Sequence, residues 1–281
     1  MAALPGIRPR TVHVEHCMGT VFSIDIRDPG PWDEAITQVT AFLHRADALF
    51  STYRPGSELM RVRRAELALA DADPSLAEVL GLARQLEQET GGYFSTSWGG
   101  SLDPTGLVKG WAIERASEIL RRHGSSNHSV NGGGDIQLAG ESAPGAPWRV
   151  GIIDPLDRAR VLTVVTGRDF AVATSGTAER GEHIVDPLRA TCPAELASVT
   201  VVGPSLTRAD AYATAAFAMG PEAPAWLESV PGHDGLVVFA GGGTTDTSGF
   251  ARYEVPESFV QSEEDPSTLG SAPNQQARSS S

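Results

Sequence analysis

The Ala-rich stretch ADAYATAAFAMG (residues 209–220) places small apolar side chains at helical spacing around two polar residues, Asp210 and Thr214. This pattern predicts an amphipathic helix over 209–219 that is buried against other elements. Residues four apart share one helical face, so Asp210 and Thr214 present a carboxylate and a hydroxyl to a single point. On spacing alone, a structural interpretation is favoured, in which Asp210 interacts with the helix dipole and Thr214 is a packed surface residue.

The same two side chains also suit a divalent cation. Mg²⁺ commonly takes only one or two protein carboxylates and completes its octahedron with waters and substrate phosphates. Asp210 and Thr214 are therefore sufficient in kind for a magnesium site, although this helix does not distinguish Mg²⁺ from Mn²⁺.

Outward from this helix, the chain predicts an α+β fold. Apolar spacing and capping residues predict helices at 32–49, near 57, at 75–89 with Ser75 as N-cap, from 107 to Gly124, and at 224–230. Strands are predicted on both sides of 18–20, and at 129–131, 136–138, 148–153, 161–166, 170–174, 183–185, 198–202 and 235–239. Mixed helices and largely non-alternating strands are not typical of a regular doubly wound fold. We predict one domain over 1–255 and a polar, Ser-rich, disordered tail over 256–281.

Charge and composition exclude several classes of function. The chain has 281 residues with 35 acids against 22 bases, a formal net charge of -13, which disfavours binding to nucleic acid. A phosphate-bearing ligand would need a placed basic residue, a helix N-terminus or a divalent cation.

No window is long and apolar enough for a membrane span, and the first twenty residues lack the core of a signal peptide, which predicts a cytoplasmic protein. Cys17 and Cys192 have no CxxC partner, so two reduced thiols are expected.

Three further segments contain residues suited to chemistry. The turn DPTG (residues 103–106) precedes a helix whose first amides, with Lys109 expected in the first turn, could face a phosphate, although a solvated lysine is the favoured alternative. NGGGDI (residues 131–136) is explained by a tight turn or by close approach of backbone to a ligand. His183 could accept a proton from a hydroxyl nucleophile, although a lone histidine beside a strand is more often structural.

The order of the motifs is more specific than any one of them. The sequence contains MGT (18–20), FSTYRPGSEL (50–59), LDPTGLVKGWAIERA (102–116), NGGGD (131–135), ATSG (173–176), HIVDP (183–187) and ADAYATA (209–215). This order resembles the ApbE family of FAD:protein FMN transferases, and the resemblance covers roughly residues 14–220. It implies an α+β fold with the FAD site in a cleft between two lobes. It also implies a Mg²⁺-dependent enzyme that splits FAD, attaches FMN to a threonine or serine of an acceptor protein and releases AMP.

The resemblance also implies roles for individual residues. Asp210, Thr214 and the backbone carbonyl of Gly106 match the metal ligands, and His183 and Asp210 are the expected catalytic residues, with His183 as general base. The residues expected to contact FAD are Met18, Tyr53, Trp98, Gly99, Gly100, Asp103, Lys109, Asp135 and Val185. Tyr53 would stack on an aromatic ring of FAD. Asp135 is expected either to fix the glycine loop or to contact the ribose.

The sequence departs from the family pattern at three places. The segment STSWGGSL (95–102) is much shorter than in many relatives, Ala190 replaces a glycine that often ends the turn after HIVDP, and Ala213 stands where some relatives have a second acid. Two rival functions remain open at this point. One is an FAD pyrophosphatase that releases FMN and AMP to water, and the other is a non-catalytic FAD-binding protein.

Overall fold

The computed structural model describes residues 10–97, 102–177 and 184–254. Its strands are β1 Thr11–Cys17, β2 Thr20–Ile26, β3 His128–Gly132, β4 Asp135–Ala139, β5 Trp148–Ile153, β6 Val161–Gly167, β7 Ala171–Gly176, β8 Leu196–Gly203, β9 Asp234–Phe239 and β10 Thr244–Asp246. Its α-helices are α1 Asp33–Phe50, α2 Glu58–Arg63, α3 Pro74–Glu89, α4 Thr105–Arg122, α5 Leu206–Met219 and α6 Ala223–Glu228. This mixture confirms the predicted α+β class.

The strands form one large and one small sheet. Eight strands lie in the order β1-β2-β3-β4-β7-β8-β9-β10, and every neighbouring pair is antiparallel. Strands β5 and β6 form a separate antiparallel pair. The hairpin β5–β6 therefore leaves the large sheet after β4, and the chain returns to it at β7.

Apolar residues on the two faces of the large sheet fill two different cores. On one face, helices α1, α3, α4 and α5 pack against residues such as Phe22 and Val199. On the other face, Val172 and Val202 pack with Trp148 and Val165 of the small sheet. The result is three layers: helices, the eight-stranded sheet, and the two-stranded sheet.

Two tight hairpin loops lie side by side at one end of the large sheet. Met18 and Gly19 join β1 to β2, and Gly133 and Gly134 join β3 to β4; all four residues have positive φ. Two consecutive residues with positive φ are typical of the type I′ turn, which matches the twist of a two-residue hairpin. Because β2 pairs with β3, the two loops are neighbours.

Several predicted boundaries were wrong. Helix α5 begins at Leu206 with Ser205 as N-cap, and α4 begins at Thr105, so Asp210 and Lys109 both lie in the second turn of their helices. Asp73, not Ser75, caps α3, since its carboxylate accepts the Ser75 N–H at 2.9 Å. In α5 and α3 a capping side chain just before the apolar run starts the helix earlier than apolar spacing indicated, whereas α4 follows Pro104, which has no side-chain capping bond.

Two strand predictions also differ from the structure. Residues 184–185 form no strand, because the chain there enters a turn closed by a bridge between Asp186 and Thr191. The edge strand β10 was not predicted, since its exposed polar residues lack the alternation that marks a half-buried strand.

Candidate functional site

A cavity of about 970 Å³ opens at the end of the large sheet where the two hairpin loops lie. Its walls come from all three layers: Met18 and Gly134 from the hairpin loops, Lys109 and Asp210 from the helices, and Ile153 from the small sheet. This volume is at the upper end of the range of about 300–1,000 Å³ for ligand pockets. We refer to it as the main cavity.

Asp210 reaches the main cavity because helices α4 and α5 approach closely at Gly110. The Asp210 side chain accepts the Gly110 N–H through Oδ2 at 3.2 Å, and Asp210 is only 5% exposed. A Cβ at position 110 would lie 2.9 Å from Asp210 Cβ and 3.0 Å from the Leu206 carbonyl oxygen. A carboxylate buried this deeply is held by specific partners, so the structural interpretation of Asp210 as a helix-dipole residue fails.

Asp210, Thr214 and Gly106 all line the main cavity, as the metal prediction requires. The Thr214 hydroxyl lies 3.1 Å from the Oγ atom of Ser175, near the end of β7. This hydrogen bond orients the Thr214 hydroxyl. Within the described ranges, no three or more His, Cys, Asp or Glu side chains are grouped as a metal site. One carboxylate, one hydroxyl and one carbonyl are hard oxygen donors, and they fit Mg²⁺ that completes its shell with waters and phosphate oxygens.

Lys109 projects from α4 into the same cavity and forms an ion pair with Asp135 at the start of β4. Asp135 Oδ2 faces the ammonium, and Oδ1 accepts the Thr174 N–H of β7 at 3.0 Å. The favoured interpretation of Lys109 as a solvated side chain is therefore wrong. Neither does Asp135 fix the glycine loop: the Asn131 side chain does so, accepting the Gly134 N–H at 3.3 Å.

Asp103 also lines the main cavity and shapes the start of α4. Its Oδ1 accepts both the backbone N–H and the hydroxyl of Thr105, at 3.0 and 2.7 Å. This arrangement satisfies a first-turn amide of the helix, so Asp103 has a local structural role whatever it binds.

The remaining predicted contact residues fall into two groups. Met18, Tyr53 and Val185 line the main cavity, and the Tyr53 side chain is accessible for stacking because the residue is 94% exposed. Trp98, Gly99, Gly100 and His183 lie outside the described residues, so their roles stay predictions.

Sequence reasoning missed the contribution of the small sheet and of Ser175. Ile153 and Arg158, from the β5–β6 hairpin, line the main cavity opposite the helices. The sequence signal was the turn segment DPLDRAR (154–160), which places two arginines between short strands. Ser175 was within the ATSG motif, but its hydrogen bond to Thr214 depends on the packing of α5 against β7.

The fold matches solved structures of ApbE proteins. The flavin transferase ApbE of Vibrio cholerae superimposes with a TM-score of 0.76 at 22% identity, covering 87% of this chain and 99% of that one. The ApbE protein of Thermotoga maritima superimposes with a TM-score of 0.79 at 21% identity, covering 88% of this chain and all of that one. Identity at this level establishes the shared fold alone.

The sequence establishes the family. The ApbE family model matches residues 18–101 and 96–237, and the chain belongs to the ApbE family. It is 34% identical over 131 residues to the FAD:protein FMN transferase of Vibrio cholerae, covering 43% of this chain and 39% of the relative. It is 31% identical over 149 residues to the Escherichia coli K12 protein of the same name, covering 49% and 41%. The matched region thus spans about two fifths of each relative.

The described part of the chain has no helix long and apolar enough to cross a membrane.

Proposed function

We propose that this protein is an FAD:protein FMN transferase that attaches FMN through a phosphoester to a threonine or serine of an acceptor protein and releases AMP. The observation that supports this most is that Gly106, Lys109, Asp210 and Thr214 meet at one cavity. Helices α4 and α5, which supply these residues, meet where Gly110 contacts Asp210, one hundred residues away in the chain. Both the family and the name of the similar relatives agree with this activity.

The acidic chain needs local positive charge to bind a diphosphate, and two features supply it. Mg²⁺ held by Asp210, Thr214 and the Gly106 carbonyl would neutralise the diphosphate and stabilise the departing phosphate. The Lys109 ammonium, directed into the main cavity, would bind a phosphate oxygen. Tyr53 would stack on an aromatic ring of FAD at the cavity wall.

The transfer itself breaks one P–O bond and forms another. The acceptor hydroxyl oxygen attacks the FMN phosphorus. The bond between that phosphorus and the bridging oxygen breaks, and AMP leaves with this oxygen and the electron pair of the bond. We assign the hydroxyl proton to His183, from its match to the family motif. Ile184 and Val185, which follow it in the chain, line the main cavity.

Intact-mass analysis tests the proposal directly. The protein is incubated with FAD, Mg²⁺ and a recombinant FMN-binding domain that has the acceptor threonine, and we expect an FMN-sized mass increment on that domain. A valine variant of the acceptor threonine should receive no increment. A panel of acceptors with no increment under Mg²⁺ or Mn²⁺ would contradict the proposal.

AMP measured in the same reactions separates the rival functions. AMP release that needs no acceptor and exceeds transfer would indicate an FAD pyrophosphatase. FAD binding without AMP release, with or without metal, would indicate a non-catalytic binding protein. The cytoplasmic location predicted from the sequence belongs to the same proposal.

A further inference from the structure

The chain contains a single lysine. Of its 22 lysine and arginine residues, 21 are arginine and one is Lys109. The composition therefore strongly favours arginine wherever a positive charge suffices. A lysine at the wall of the main cavity indicates a position where an ammonium performs a task that a guanidinium does not.

The partner of Lys109 is an unusually restricted carboxylate. Asp135 is 1% exposed, and its Oδ1 already accepts the Thr174 N–H, so Oδ2 is the oxygen that faces the ammonium. The backbone holds this carboxylate rigidly, because Asp135 begins β4 directly after the tight loop Gly133–Gly134 and pairs with Gly132.

This geometry fits an ammonium better than a guanidinium. Guanidinium groups match carboxylates best when two parallel N–H groups meet two free oxygens. Here Oδ1 already accepts the Thr174 N–H and Asp135 is 1% exposed, so the carboxylate does not present two free oxygens side by side to a guanidinium. An ammonium has three donors in a compact group, so it can bind Oδ2 and a ligand in the cavity through different N–H bonds.

We propose that Asp135 is a positioning residue, which holds the Lys109 ammonium where it binds a phosphate oxygen of the dinucleotide and does not itself contact the ribose. The identity of the ligand rests on the proposed function, but the pairing of Asp135 with Lys109 does not. Removing Asp135 should therefore weaken phosphate binding even though it removes a negative charge from the cavity wall, the opposite of what simple electrostatics predicts.

The single lysine allows a direct spectroscopic test. Protein labelled with ¹⁵Nζ-lysine has one side-chain ammonium signal, which needs no assignment. We expect a sharp signal in the ligand-free wild-type protein, because the buried carboxylate slows hydrogen exchange with water. Asp135→Asn should shift or broaden it, and Asp246→Asn, an exposed acid on β10, should leave it unchanged. The same signal in wild type and Asp135→Asn would overturn the proposal.

Binding of inorganic pyrophosphate with Mg²⁺, and separately of FAD, measures the functional consequence. Asp135→Asn should weaken both about ten- to a hundredfold, the range expected for one lost charge-assisted hydrogen bond. Lys109→Arg keeps the positive charge at this half-buried position, but its affinity for pyrophosphate and for FAD should also fall about tenfold or more. Wild-type affinity in Lys109→Arg, or tighter binding in Asp135→Asn, would overturn the proposal.

These outcomes remain distinct from failure of the proposed transferase activity. If the wild-type protein never transfers FMN but Asp135→Asn moves the ammonium signal and weakens pyrophosphate binding, the positioning role stands and the transferase proposal fails. If transfer is observed but neither readout responds to Asp135→Asn, the positioning role fails and the activity stands.

Discussion

The Asp210 carboxylate accepts the backbone N–H of Gly110 at 3.2 Å, across one hundred residues of chain. The contact exists because position 110 has no side chain: a Cβ there would lie 2.9 Å from Asp210 Cβ. Helices α4 and α5 thus meet at the point where α4 presents Lys109 and α5 presents Asp210. The close packing of the core and the geometry of the candidate metal site therefore depend on the same glycine.

Gly110→Ala should lower the free energy of unfolding by about 1–3 kcal/mol, because overpacking forces the two helices apart. The measurement is urea unfolding followed by circular dichroism. Gly81→Ala is the matched control, since Gly81 lies in α3 and a Cβ added there would meet no atom within 4 Å. That change should raise stability by about 0.5–1 kcal/mol through helix propensity. Equal effects of the two substitutions would show that the helices do not approach closely at Gly110.

Asp210→Ala should abolish metal-dependent turnover while part of the FAD affinity remains, because stacking of an aromatic ring of FAD on Tyr53 does not need the metal. FAD binding is measured by quenching of flavin fluorescence, with and without Mg²⁺, and turnover by AMP release. Asp246→Ala, on the exposed edge strand β10, is the control and should behave as wild type. Unchanged turnover in Asp210→Ala would remove the metal assignment.

Ala190→Gly should stabilise the protein by about 0.5–1 kcal/mol. Ala190 has φ of 56°, a left-handed conformation that costs an L-residue about 1–2 kcal/mol. Glycine removes this cost, but part of the gain is offset because glycine has more conformational entropy in the unfolded chain. Ala68→Gly is the control: Ala68 is exposed with φ of -73°, so glycine should destabilise there by about 0.4–1 kcal/mol. The midpoint temperature of thermal unfolding, measured for both variants, checks the sign of each effect. A lower midpoint in Ala190→Gly than in wild type would show that the backbone at Ala190 is not strained.

Acid should destabilise the protein through His128. Burial lowers the pKa of His128 from its ordinary value of 6.5 to about 4, and the Ser117 and Ser125 hydroxyls lie 2.7 and 2.9 Å from its ring nitrogens. The unfolded chain binds the proton more readily, so this contribution is complete above pH 6.5 and is lost as the pH falls towards 4. The free energy of unfolding should fall by up to about 3 kcal/mol over this pH range.

Urea midpoints between pH 7 and 4.5 measure this effect. The His128→Gln variant should be less stable than wild type at pH 7 but should lose less stability on acidification. Parallel pH profiles of the two proteins would rule out His128 as the source.

The two cysteines should differ sharply in reactivity. Burial raises the pKa of the Cys17 thiol to about 11, whereas Cys192 is exposed. Because the thiolate is the reactive form, a disulfide reagent at pH 8 should modify one thiol rapidly in the native protein and two after denaturation. Cys192→Ser should remove the rapid reaction. Rapid modification of that variant would show that Cys17 is accessible.

Several local features of this protein could be predicted from the sequence by itself. The strands around Met18–Gly19, the helix containing Asp210 and the α+β class follow from apolar spacing and turn residues, which act between neighbours on one helix turn or one hairpin. The order of the motifs identified the family. Only the tertiary structure decided that Asp135 pairs with Lys109, that Gly110 binds Asp210, and that the β5–β6 hairpin completes the main cavity. Those contacts join elements distant in the chain, and their partners are selected by how helices and sheets pack, which no local pattern encodes.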